Sequence, residues 1–259
     1  MVYGLDKFRE TFRAFTENYI IIGGTACDRM LSRTAIEPRA TEDIDMIVVV
    51  EAINRDFIRA FWQFIMDGGY KCGRRIRKNT EEPVYEMYRF EEGKEGYPVK
   101  IELLSRHPDI LGEPSGFHIE PIPADEYLSS LSAIIMDDDY YRLALEHSIL
   151  DDEIRVADFK ALVCLKAKAY LNMVADREAG IHRNSKDIKK HRLDVLKLIA
   201  GDPDPRPTIV GVKIANDIQV FVSKIEVPDM RQALKESIQV DDTSLDAYLN
   251  ILRNNYLPR

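Results

Sequence analysis

Asp43 and Asp45 stand at the head of an apolar run, Asp43-Ile44-Asp45-Met46-Ile47-Val48-Val49-Val50. Residues two apart on a strand point to one face, roughly 6.5–7 Å along it, so this spacing can present two carboxylates to hard divalent cations such as magnesium or manganese. An acid-x-acid triplet says little alone, since 44 Asp and Glu in 259 residues give about seven by chance. Its place at the mouth of a buried strand singles this one out. Before it, Ile21-Ile22-Gly23-Gly24-Thr25-Ala26 predicts a strand, a tight turn and a hydroxyl residue opening a helix. Backbone N–H groups at such a turn attract phosphate oxygens, and glycine lets a ligand approach closely. The segment is neither a P-loop nor a dinucleotide fingerprint, because it lacks both GxxxxGK[ST] and GxGxxG. A third acid, Glu102, lies in Val99-Lys100-Ile101-Glu102-Leu103-Leu104, where Lys100 and Glu102 share one strand face and Ile101 and Leu103 the other. A phosphate cradle and three carboxylates on strands are the parts of two-metal phosphoryl or nucleotidyl transfer.

The elements that must hold these residues follow from periodicity. Residues 6–18 predict a helix, with Phe8, Phe12 and Phe15 at helical spacing and Asp6 as its cap. Residues 19–22 and 43–50 predict buried strands, with a helix over 25–33 between them. An aromatic-rich helix over 54–67 ends at Gly68-Gly69, and its Phe57, Phe61, Trp62 and Phe64 read as core. Alternating runs at 84–90 and 99–104 add two strands around a Gly93/Gly96 turn. The stretch 108–123 reads as loop, Asp137-Asp138-Asp139 as a turn, and residues 140–149 and 153–156 as a strand pair around Asp151-Asp152. After that the pattern is helical: 158–174, 185–200, a Gly/Asp/Pro linker at 201–207, then three helices over 211–255. These elements predict an α/β (α+β) mixed sheet with flanking helices in a domain over 1–156, and a helical domain over 157–259 that completes the cleft.

Composition excludes several classes. Hydrophobic residues make up 45% and charged ones 31%, which is globular rather than disordered. No apolar run approaches a membrane span, and the N-terminal segment does not resemble a signal peptide. Cys27, Cys72 and Cys164 form no CxxC and no even framework, so a reducing, cytoplasmic setting fits. The net charge of −8 argues against indiscriminate nucleic-acid binding. Locally, however, residues 158–197 carry ten Lys/Arg against five Asp/Glu, and Lys71, Arg74, Arg75, Arg77 and Lys78 form a second basic cluster. Both are solvated faces or phosphate contacts for an RNA. Lys166 falls inside a helical stripe of Phe159, Leu162, Val163, Tyr170 and Met173, where a lysine needs an anion or a route to solvent. Asp187 sits in the first turn after Ser185, where an acid also complements the helix dipole. The five histidines show no metal-ligand spacing.

Gly23-Gly24-Thr25, Arg39-Ala40-Thr41-Glu42-Asp43-Ile44-Asp45 and Ile101-Glu102 resemble the polymerase-β-like nucleotidyltransferase superfamily, and within it the AbiEii/AbiGii toxin branch and its bacterial relatives. Leu165-Lys166-Ala167-Lys168-Ala169-Tyr170 and Ser185-Lys186-Asp187-Ile188-Lys189-Lys190-His191 look like that branch's lysine and Lys/Arg-Asp motifs, so the resemblance spans about residues 19–200. It implies a magnesium- or manganese-dependent transfer of NMP from an NTP to a hydroxyl. Asp43 and Asp45 would hold metal, Glu102 would complete one metal site and help deprotonate the acceptor, and Gly23, Gly24 and Thr25 would line the triphosphate. Lys166 would contact phosphate or the leaving pyrophosphate, with Asp187 orienting that part of the site. The implied partners are NTP, a tRNA or other RNA end, a protein or a small molecule as acceptor, and a cognate antitoxin. Two other readings stay open on the residues: a non-catalytic nucleotide- or RNA-binding protein on this scaffold, and a small-molecule transferase of the antibiotic-modifying kind.

Overall fold

The structure is a computed structural model describing residues 2–79, 82–106, 111–112, 119–121, 134–135 and 137–259, with backbone only at 74–79, 82–87 and 119–121. Most of the loop expected at 108–123 lies outside the described residues. Helix α1 (Leu5–Phe12) runs into a 3₁₀ turn (Arg13–Phe15), followed by β1 (Tyr19–Ile22), α2 (Gly23–Leu31), β2 (Asp43–Val48) and α3 (Arg55–Gly68). Strands β3 (Lys71–Asn79), β4 (Glu82–Glu91), β5 (Lys100–Ser105) and β6 (Ile119–Pro121) come next. Helix α4 (Asp138–Glu146) precedes a hairpin of β7 (Ser148–Asp151) and β8 (Ile154–Ala157). Then follow α5 (Phe159–Glu178), α6 (Ser185–Gly201), β9 (Thr208–Val210), α7 (Val212–Ile225), α8 (Pro228–Ile238), α9 (Asp242–Asn254) and β10 (Tyr256–Pro258). The described strands form an eight-stranded mixed sheet in the order β6-β3-β4-β5-β2-β1-β8-β7, and β9 and β10 form a separate parallel pair. The fold is thus a mixed α/β sheet with flanking helices and a helical C-terminal region. No helix among the described residues is long and apolar enough to cross a membrane.

Strand alternation gives the sheet two chemically different faces. Tyr19, Ile44, Met46, Ile101, Leu103, Tyr88 and Phe90 belong to one face, where the rings of Phe8 and Phe12 from α1 and Phe57, Phe61 and Phe64 from α3 close over them. Trp62 joins this slab and donates its indole N–H to the Leu111 carbonyl at 3.0 Å. The opposite face carries Asp43, Asp45, Lys100, Glu102 and Arg89; α2 contacts β1, β2 and β8, α5 contacts β8, and α6 packs on α2 and α5. Helix α5 is buried on every side from Lys160 to Ala167 rather than along one stripe, which makes it the central helix of the C-terminal region.

Several local expectations change. Gly4, in the left-handed conformation, caps α1, and Asp6 lies within its first turn. Residues 138–146 form α4 rather than a strand, because Asp137 caps it by accepting from the Asp139 N–H; the aspartate run is a helix start, not a turn. Strand β3 was not expected at all. Asp152 and Glu153 form the two-residue β7–β8 loop at φ 48° and 61°, the backbone of a type I′ turn.

Candidate active site

Strand β1 passes directly into α2, with no loop between them. Ile22 occupies the N-cap position and makes no side-chain cap, so the first-turn N–H groups of Gly23, Gly24 and Thr25 begin the helix without a side-chain acceptor from that residue. Gly23 sits at φ 71°, and the space a side chain would fill there is taken by the Asp45 carboxylate. At Gly24 the same space meets Thr41 Oγ1 and the Arg39 guanidinium. Both glycines are therefore required by close approach, one to an acid and one to the 32–42 connection. Thr25 differs from the expectation. Its hydroxyl is buried and donates to the Asp43 carbonyl at 2.5 Å, tying α2 to the start of β2 instead of facing a ligand.

One open cleft of about 500 Å³ collects Gly24, Asp43, Asp45, Glu102, Lys166 and Asp187, although their positions span most of the chain. On the sheet side, register sets the charges in rows. Arg89, Glu102 and Asp45 are neighbours across β4, β5 and β2, and Lys100 stands beside Asp43 one pleat earlier. Arg89 Nε donates to Glu102 Oε1 at 3.0 Å, and Lys100 Nζ lies 3.1 Å from Asp43 Oδ2 and 3.6 Å from Glu102 Oε1. Burial works against the Lys100 ammonium, but Glu102 and Asp43 outweigh it and raise its pKa. Burial, and then the Glu102 charge, push the Asp45 carboxyl up to about 7. Asp45 is thus a carboxylate short of counter-charge.

The helical side supplies cations. Lys166 is 1% exposed, and its Nζ pairs with Asp194 Oδ2 at 2.9 Å. The anion that a lysine on this helix needs is therefore a carboxylate of α6. Burial disfavours the Lys166 ammonium, while Cys27 and Asp194 more than compensate and raise its pKa. Asp187, expected to orient this part of the site, lines the cleft and lies 3.5 Å from Lys190 at the start of the same helix. Arg39, Thr41, Arg183, Asn184, Lys190 and His191 also line the cleft without having been assigned a role from sequence. The Arg39-Ala40-Thr41 segment was the available signal for the first two. His191 is 4% exposed, its Nδ1 has no hydrogen-bond partner among the described residues, and burial followed by the charges of Lys166, Lys190 and Arg39 holds its pKa well below the usual histidine range. The basic cluster on β3 contributes only Lys71 to the described side chains, paired with Glu92 at 2.7 Å; Arg74, Arg75, Arg77 and Lys78 are described by backbone alone.

Asp43 and Asp45 suit a hard divalent cation: two oxygen donors on one strand face, one of them lacking a counter-ion. Glu102 is less open to an ion, because Arg89 and Lys100 both lie against its Oε1 and its side chain is buried. Among the described residues no three His, Cys, Asp or Glu side chains gather as a metal-ready group.

No protein-family model and no curated protein matches the chain. Among solved structures it is similar to JHP933 from Helicobacter pylori, at 13% identity and a TM-score of 0.40, over 96% of this chain and 90% of that one. It is also similar to an H. pylori protein that carries the provisional name of nucleotidyltransferase, at 11% identity and a TM-score of 0.41, over 96% and 93% of the two chains. Likeness of this degree leaves the chemistry to be read from the site itself.

Proposed function

We propose that the chain is a nucleotidyltransferase of the polymerase-β-like type, moving NMP from an NTP to a hydroxyl acceptor. One observation carries this reading: a single cleft holds the Asp43–Asp45 carboxylate pair together with a helix N-terminus at Gly24 and the cations Arg39, Lys166 and Lys190. Anion-seeking and cation-seeking groups on facing surfaces suit a triphosphate bound through a divalent ion. A magnesium or manganese ion on Asp43 and Asp45 would offset the charge that builds on the phosphate oxygens. The acceptor oxygen would bond to the α-phosphorus as the bond to the bridging oxygen breaks, with its proton leaving to water in the open cleft. Lys166, fixed by Asp194, and Arg39 and Lys190 would take up the charge of the departing pyrophosphate. Catalysis would rest on alignment and charge, without a covalent enzyme intermediate.

The sequence resemblance to the AbiEii/AbiGii branch supports reading this activity as the toxin half of a bacterial toxin–antitoxin or phage-defence pair. The acceptor would be a tRNA or other RNA end, a protein hydroxyl or a small molecule, and the partner a cognate antitoxin. The free, buried cysteines suit a cytoplasmic setting. A second reading, a nucleotide- or RNA-binding protein without turnover, draws on the neutralised state of Glu102.

A thermal-shift panel tests both. Each NTP at a hundred times its Kd, with magnesium, should stabilise the wild type by about 2.7 kcal/mol, or roughly 5–10 °C, and the Asp43→Asn/Asp45→Asn variant should lose the effect. α-Labelled nucleotide should then pass to bulk RNA or protein from the wild type alone. Binding without transfer to any acceptor supports the second reading. Absence of any nucleotide-dependent shift contradicts the transferase reading and the nucleotide-binding form of the second.

A further inference from the structure

The three acids of the sheet wall are not equivalent, and the difference lies in what already touches them. Asp43 reaches the cleft with its side chain 41% exposed, and Asp45 has no ion-pair partner among the described residues. Glu102 is 3% exposed and lies between Asp45 on one neighbouring strand and Arg89 on the other. Lys100, two residues before Glu102 on the same face of β5, bridges Asp43 Oδ2 at 3.1 Å and Glu102 Oε1 at 3.6 Å. We propose that the Lys100 ammonium stands in the position of a second divalent ion, so that the site takes one ion, on Asp43 and Asp45, and Glu102 is an anchor for Lys100 and Arg89 rather than a metal ligand. This inference rests on the nucleotidyl-transfer reading above.

The charge pattern supports it. A cation shared by Asp43 and Glu102 belongs between them, and an ammonium of the chain's own is already there. Arg89 Nε holds the same Glu102 oxygen from the opposite flank at 3.0 Å, with both side chains largely buried. Recruiting Glu102 Oε1 to an ion would mean detaching two cations from a carboxylate that is 3% exposed. Burial without a partner is costly for every group involved. Asp43 and Asp45 are not closed off in this way: the Asp43 side chain is 41% exposed and meets Lys100 through Oδ2, and Asp45 has no ion-pair partner among the described residues. An ammonium supplies a single positive charge and offers no open coordination position. The acceptor hydroxyl would therefore be placed by its own contacts with the cleft.

Crystals of the full chain grown with Mn²⁺ and an equimolar set of the four α,β-methylene NTPs test this through manganese anomalous scattering. The wild type should show one manganese peak in the cleft, bounded by Asp43 and Asp45. Lys100→Ala should show a second, between Asp43 and Glu102, and Glu102→Gln should keep the first unmoved. Two peaks in the wild type overturn the inference while leaving the transfer reading intact. A single peak in Lys100→Ala overturns the role given to Lys100. No peak in the wild type overturns the inference and the metal assignment of the proposed function together. The electron density itself reports whether each variant has folded.

Discussion

Replacing Asp45 with asparagine should stabilise this protein, and only where the carboxylate would otherwise ionise. The pKa of Asp45 rises from an ordinary 3.8 to about 7, through burial first and the Glu102 charge second. Between those values the folded chain holds a proton that the unfolded chain has released, so stability falls as pH rises through this window. A rise of that size sets a ceiling of roughly 4 kcal/mol on the cost at high pH. Asp45 and Glu102 share the repulsion, so about half the ceiling, roughly 2 kcal/mol, is the expected effect. Asparagine keeps the shape against Gly23 and removes the charge. With EDTA present, urea unfolding at pH 8 should show Asp45→Asn more stable than the wild type by roughly 2 kcal/mol, or about 4–8 °C in Tm. At pH 4 the two should coincide. Millimolar magnesium should stabilise the wild type and leave the variant unchanged. An equal difference at both pH values, or a variant less stable at pH 8, would refute the reasoning.

Gly23→Ala should cost about 2 kcal/mol in urea unfolding and weaken magnesium-dependent stabilisation, since the new methyl group meets the Asp45 carboxylate from a left-handed backbone. Lys166→Met should cost about 3–5 kcal/mol by stranding Asp194 without its partner, while Lys166→Met/Asp194→Leu should recover most of that stability without recovering nucleotide binding. A double-mutant cycle on unfolding and a nucleotide thermal shift read the two effects separately. Glu153→Gly should stabilise the chain by about 1 kcal/mol, because glycine adopts the φ of 61° without the penalty glutamate carries; no change in the urea midpoint would contradict the turn assignment.

Strands β1 and β2 and the two acids of β2 were legible because β-branched runs and alternation are local properties. The same was true of the helical character of the second half. Strand β3 was hidden by its own composition: Lys71-Cys72-Gly73-Arg74-Arg75-Ile76-Arg77-Lys78-Asn79 has almost no apolar alternation, and β4 and β6 on either side hold it in the sheet. At 140–146 the tyrosines and leucines suggested a strand, and the Asp137 cap decides for a helix. Within the site, Lys166 could be singled out as a lysine in need of an anion. Asp194 could not, since it pairs across two helices from 28 positions further on, with no short motif joining the two. The partner of the Thr25 hydroxyl is hidden for a similar reason: its acceptor is a main-chain carbonyl on another element, and carbonyls leave no trace in residue types. Glu102 was seen as an acid on the right face, but the basic neighbours that claim it depend on a three-strand register.

The cleft joins residues from opposite ends of synthesis, and this gives it a birth order. Its acidic wall is complete once Glu102 has been added, whereas Lys166 and His191 come later. At 5–20 residues per second the ribosome takes about 4–18 s to cover the 89 positions from Glu102 to His191. Throughout that interval the emerging carboxylates have Arg39, Arg89 and Lys100 but not the cations of the helical side. Termination before Lys166 would leave the Gly24 helix start and Arg39 without Lys166 and Lys190, so a premature stop should give a product that binds anions more weakly than the finished protein.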